Sequence, residues 1–124
     1  MLLKGNYYTM DGWHTEGRET TFRIALLPEC DVYRGHFPGH PVCPGVCNVQ
    51  VVKECASMLT GKRLAIAAIK QCRFTAVASP HRCPRLDVIV SAEPAGEAAY
   101  AVTARITAGD TTYLDFKGEM HEQA

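Results

Sequence analysis

Thr20 to Leu27 alternates cleanly: Phe22, Ile24 and Leu26 fall on one side, Thr21 and Arg23 on the other. A period of two marks a strand half buried in a sheet. From about Gly45 to Leu59 the period changes. Val46, Val49, Val52, Cys55, Ala56 and Leu59 recur at the spacing of one helix face, and Gly61 supplies a stop. Valine is a weak helix former, so this helix depends on tertiary burial and is expected to be central. Its polar residues Gln50, Lys53, Glu54 and Ser57 also recur three and four apart and so share one stripe.

The rest of the chain reads as strands. Gly5 to Met10 has strand-like composition, and Asp11-Gly12 reads as a turn. Leu64 to Ala78 is long and apolar, ending at Ser79-Pro80. Leu86, Val88 and Val90 alternate with Asp87 and Ser91. Tyr100, Val102, Ala104 and Ile106 alternate with Thr103 and Arg105, and Thr112, Leu114 and Phe116 with Tyr113, Asp115 and Lys117. Four consecutive strands joined by turn signals predict an antiparallel meander. One apolar helix against such a sheet is an α+β architecture.

At 124 residues the chain is expected to be one domain, residues 1–124. Thirteen Lys and Arg balance thirteen Asp and Glu, so the basic footprint of a nucleic-acid binder is missing. No apolar run approaches the roughly 18 residues of a membrane span. Met1-Leu2-Leu3 is followed at once by Lys4, Gly5 and Asn6, with no apolar signal segment. The expected location is the cytoplasm, where the six cysteines (Cys30, Cys43, Cys47, Cys55, Cys72, Cys83) would be reduced and most would serve as small apolar residues.

The chemistry gathers in Gly35-His36-Phe37-Pro38-Gly39-His40-Pro41-Val42-Cys43-Pro44-Gly45-Val46. Three prolines and three glycines give this loop a defined shape, and it runs directly into the helix. A histidine so framed, beside a helix start with outward N–H groups, suits an acid/base site next to an oxyanion site.

The segment His36-Phe37-Pro38-Gly39-x-Pro41-x-x-Pro44-Gly45-Val46 resembles the signature of the 3-hydroxyacyl-acyl-carrier-protein dehydratases of fatty acid synthesis, which have the hotdog fold. Weaker similarity runs through the helix to Ile69-Lys70-Gln71-Cys72-Arg73-Phe74, so the resemblance covers roughly Arg34 to Pro80. It implies a helix wrapped by a curved antiparallel sheet and an enzyme that removes water from a 3-hydroxyacyl thioester to give a trans-2-enoyl thioester. His36 would take the Cα proton, and Gly45 and Val46 N–H groups would polarise the carbonyl. Phe37 would line the acyl site. The resemblance further implies an acyl carrier protein as partner, a homodimer or dimer-based oligomer, and no cofactor.

One position departs from that pattern. Fourteen residues after His36, where the family carries an acid, stands Gln50; four residues on, where the family usually has glutamine, stands Glu54. An amide cannot give up a proton at neutral pH. Glu54 could serve through a water, His36 could carry both proton transfers while Gln50 orients the hydroxyl, or the reaction could have changed. The alternatives are therefore a hotdog thioesterase, in which Gln50 or Glu54 positions a water, and a non-catalytic module binding acyl thioesters or carrier proteins. Glu54 could equally be a structural group paired with Lys53 or Lys62.

His36, His40, Cys43 and Cys47 form H-x3-H-x2-C-x3-C, a zinc-capable set. The prolines and the dehydratase signature already explain that segment, so no metal is expected, and His40 reads as a solvent-facing loop residue. Lys62, Arg63, Lys70, Arg73, Arg82 and Arg85 make the middle of the chain locally basic, either as a solvated surface or as a dock for an acidic carrier protein.

Overall fold

The computed structural model describes residues 3–30, 43, 45–76, 78, 80 and 84–123. His36, Phe37, His40, Arg82 and Cys83 lie outside the described residues. Strands β1 (Tyr8–Glu16) and β2 (Glu19–Leu26) precede helix α1 (Gly45–Thr60), which is followed by β3 (Leu64–Phe74), β4 (Arg85–Pro94), β5 (Ala99–Ala108) and β6 (Thr111–Glu122). The six strands form one curved, unclosed sheet in the order β1-β2-β4-β5-β6-β3, every neighbour antiparallel. This is the α+β arrangement that the alternating patterns predict.

Period-two patterning decides which face is buried. In β2, Thr20, Phe22, Ile24 and Leu26 are buried, while their neighbours are partly or fully exposed. The register carries that face across the sheet: Phe22 opposes Val88, Val88 opposes Ile106, and Ile106 opposes Leu114. A parallel row joins Val90, Ala104, Phe116 and Cys72. Helix α1 lies against β4 and β3. Apolar area removed from water stabilises at about 25 cal/mol per Å², so these rows and the helix supply the main cohesion.

Three details differ from the sequence reading. Asp11-Gly12 is not a turn: β1 runs through it with an irregularity between Met10 and Gly12, and the chain reverses at Gly17, whose φ is +63°. A bulge accommodates one extra residue without ending the strand. Next, β3 does not join a four-strand meander. Only β4, β5 and β6 follow one another, and β3 crosses to the far edge to pair with β6. The links that keep consecutive strands adjacent are short, residues 95–98 and 109–110, whereas ten residues (75–84) separate β3 from β4 and allow the crossing.

The third difference lies on the helix. Its buried residues are Asn48, Val51, Val52, Glu54, Cys55 and Ala56, whereas Val46 is 77% exposed. The buried face is rotated from the apolar stripe because α1 is covered from two sides. The sheet packs on one, and the segment from Leu3 to Tyr8 is bonded along another. Tyr7 and Tyr8 are consecutive yet both fully buried, which requires cover on both sides of the chain there. At the other end, Gly61 (φ +70°) stops the helix and its N–H bonds Ser57 O at 2.9 Å.

Candidate active site

Gly45 and Val46 open α1. The first N–H groups of a helix have no intrahelical carbonyl to bond, and the aligned peptide dipoles place partial positive charge there. No acidic residue stands in the first turn to neutralise it. Gly45 lies so close to the ring of Phe74, at the end of β3, that a Cβ would sit 2.8 Å from its Cζ. An aromatic wall therefore flanks the amide end of the helix. Phe74 itself is 55% exposed.

The polar stripe expected on the helix faces a cleft of about 670 Å³. Gln50, Lys53, Glu54 and Ser57 line it, together with Lys62, Arg63 and Leu64 from the helix–β3 connection and Gln123 from the C-terminal end. Lys62 and Arg63 of the basic group thus sit at this cleft. Lys70 and Arg73 lie on the exposed edge strand β3, and Arg85 is 3.6 Å from Asp11 near the opposite edge. The structure accordingly separates residues that the sequence groups into one basic patch.

Glu54 is only 3% exposed, and its carboxylate is surrounded by donors. Oε1 accepts from the Lys4 N–H at 3.1 Å and the Tyr8 hydroxyl at 3.0 Å; Oε2 accepts from the Leu3 N–H and from Gln50 Nε2, both at 3.0 Å. A carboxylate has about four lone-pair directions, and here each meets a donor. Among the described residues, neither Lys53 nor Lys62 is its partner; backbone, tyrosine and amide donors take that place. Six residues earlier on the helix, Asn48 Oδ1 accepts from the Tyr7 hydroxyl at 3.1 Å. Asn48, Tyr7 and Tyr8 have no counterpart in the sequence reading. The signal for them was a tyrosine pair and a polar residue on an otherwise apolar helix turn.

Burial shapes the nearby acidities. It pushes the Tyr8 phenol well above its ordinary range, helped by the Cys55 and Glu54 charges and by the Glu54 hydrogen bond. It also pushes the Cys55 thiol up to about 12, again with a contribution from Glu54. The Cys47 thiol is raised by burial first and then by Cys30 and Cys43. These are inert, protonated thiols at neutral pH. Cys30, Cys47, Cys55 and Cys72 are free thiols, and no cluster of His, Cys, Asp or Glu suited to a metal occurs among the described residues.

The sequence pattern of the ApeI-like family, described as ApeI dehydratase, matches residues 13–112. The chain belongs to the ApeI-like dehydratase family. Curated relatives include the 3-hydroxyacyl-[acyl-carrier-protein] dehydratases FabZ of Lactiplantibacillus plantarum, 35% identical over 63 residues, and of Levilactobacillus brevis, 37% identical over 57 residues. Those matches cover 45% and 40% of this chain and 43% and 38% of the relatives, so the chain spans less than half the length of the curated relatives it matches.

Among solved structures, the dehydratase heterocomplex ApeI:P from Xenorhabdus doucetiae superimposes with a TM-score of 0.76 at 21% identity, covering 93% of this chain and 98% of that one. A mutant thioesterase from Pseudomonas aeruginosa gives 0.60 at 13% identity, covering 92% and 79%. At these identities the family and its neighbours share the fold, which is the hotdog fold.

Proposed function

We propose that this chain is a cytoplasmic dehydratase of 3-hydroxyacyl thioesters presented by an acyl carrier protein. The observation that carries this reading is the family match across residues 13–112, over a helix whose first turn offers amide donors beside an apolar wall. Gly45 and Val46 N–H groups would hold the thioester oxygen, where negative charge grows as the enolate forms. His36 would take the Cα proton. The C3–O bond then breaks, the double bond forms between Cα and C3, and the departing hydroxide takes the proton back from the imidazolium as water. Gln50 would hold the hydroxyl, and Phe37 would contact the acyl chain. The thioester already acidifies the Cα proton, so the step needs no cofactor.

The assembly we favour is a homodimer across the β3 edge. Ile69, 51% exposed, and Phe74 place apolar surface on that edge strand, and an open strand edge readily pairs with another chain. The structural neighbour from Xenorhabdus is itself a heterocomplex, so a second, different subunit is the other partner to test.

The test is an assay of enoyl formation from a 3-hydroxyacyl carrier-protein substrate, with free thiol followed in parallel. We expect enoyl product and its loss in His36→Ala. Thiol release without enoyl would transfer the site to hydrolysis, and binding without either product would make the chain a thioester-binding module.

A further inference from the structure

The pair Gln50–Glu54 fixes something that the sequence leaves open, namely which end of the Gln50 amide is offered to the cleft. A side-chain amide carries a donor end and an acceptor end that differ little in shape. A carboxylate oxygen already taking three other donors onto its group can only accept, so Nε2 must be the atom that meets Glu54 Oε2 at 3.0 Å. Oε1 meets no donor among the described residues, and both side chains line the same cleft. Glu54 cannot swing away, because two backbone N–H groups and Tyr8 hold it in place.

We propose that Glu54 is a positioning residue that locks the Gln50 amide with its carbonyl Oε1 toward the cleft, making position 50 an acceptor for the hydroxyl of a 3-hydroxyacyl group. This deepens the dehydratase reading and rests on it for the identity of the ligand. Position 50 then selects substrates that carry a hydroxyl at C3 and contributes no proton. Water and unsubstituted acyl chains satisfy the acceptor less well, because the first must be ordered and the second has no donor.

The test measures binding of 3-hydroxyoctanoyl and octanoyl pantetheine amides to the full chain by calorimetry. An amide replaces the thioester in both probes, so that no water is eliminated. One neutral hydrogen bond predicts about three- to tenfold tighter binding of the hydroxylated probe. In Glu54→Gln the amide at position 50 can turn either way, and that preference should shrink toward one while the octanoyl affinity is kept. Tyr8→Phe loosens the same carboxylate without touching the amide and should retain the preference.

Equal binding of both probes to the wild type overturns the proposal. So does full preference in Glu54→Gln, or an equal loss in Tyr8→Phe, which would indicate a merely structural role. Should Glu54→Gln not fold, the wild type labelled with nitrogen-15 glutamine decides. Only Gln50, Gln71 and Gln123 report, and the Gln50 side-chain signal must move with the hydroxylated probe and not with its counterpart. Enoyl formation is measured separately: if it is absent while the preference persists, the reaction reading fails and the acceptor stands.

Discussion

Gln50 Nε2 donates to Glu54 Oε2 across 3.0 Å, one helical turn apart, with the carboxylate buried and the amide at the cleft. Replacing Gln50 by glutamate does not simply supply a missing acid. It sets two carboxylates against each other at hydrogen-bond distance, and such a pair holds one proton in common with one apparent pKa raised. For a carboxyl whose folded pKa exceeds its unfolded value, stability is present at low pH and lost as pH rises through the folded value. Gln50→Glu should therefore melt near the wild type at pH 5 and below it at pH 8, by about 1–3 kcal/mol of stability. Thermal melts across that range check it; equal melting at pH 8 would mean the pair separates.

Exchanging both residues is the informative experiment on rate. In Gln50→Glu/Glu54→Gln the amide at position 54 becomes the donor and the carboxyl at position 50 faces the cleft without a second carboxylate against it. The Leu3 N–H shares Oε2 with Gln50 and would lose its acceptor, at a cost of about 1–3 kcal/mol. Even so, the exchanged chain should form enoyl at least about tenfold faster than Gln50→Glu at pH 8, since general acid–base groups contribute about 100- to 10,000-fold when correctly placed. Rates that match the single variant would show that the acid has no part in this chain's reaction.

The fold was legible where one periodicity dominates. Phe22, Val88, Ile106 and Leu114 lie in one buried row because each belongs to a strictly alternating strand. The polar stripe Gln50, Lys53, Glu54 and Ser57 likewise became one wall of the cleft. What escaped was non-local. Nothing in Leu64–Phe74 says that β3 pairs with β6, because the pairing is set by a ten-residue crossing and not by its own pattern. Nor does helical spacing reveal that Leu3 and Lys4 backbone donors seek a carboxylate some fifty residues away.

Cys55 is expected to make the protein sensitive to alkali. Burial, then the Glu54 charge, raises its thiol from an ordinary 9.0 to about 12. The folded value lies above the unfolded one, so the contribution is complete below pH 9 and is lost as pH rises from 9 toward 12. At 1.36 kcal/mol per unit the ceiling is about 4 kcal/mol. Cys55→Ala should lower stability at pH 7 but flatten its decline between pH 9 and 10.5. Denaturant titrations at several pH values measure both. An unchanged slope would assign the alkaline loss to Tyr8, whose phenol is raised in the same direction.

Gly118 is where a single methyl group should disturb the sheet most. It opposes Ile69 between two irregularities in the β3–β6 ladder, one between Ile66 and Ala68 and one between Ile69 and Gln71. A Cβ there would lie 2.5 Å from the Ala68 carbonyl oxygen and 3.0 Å from Phe116 Cζ. The first neighbour is backbone and cannot rotate aside, so β3 has to move away from β6. Overpacking of this kind costs about 1–3 kcal/mol. Gly118→Ala should melt several degrees lower, and hydrogen exchange should quicken at β3 amides such as Ile69 while β1 and β2 keep their protection. Because β3 is an edge strand that carries Phe74 to the helix start, the same variant should also weaken substrate binding. Uniform loss of protection across the sheet would instead show that β3 and β6 unfold only with the whole domain.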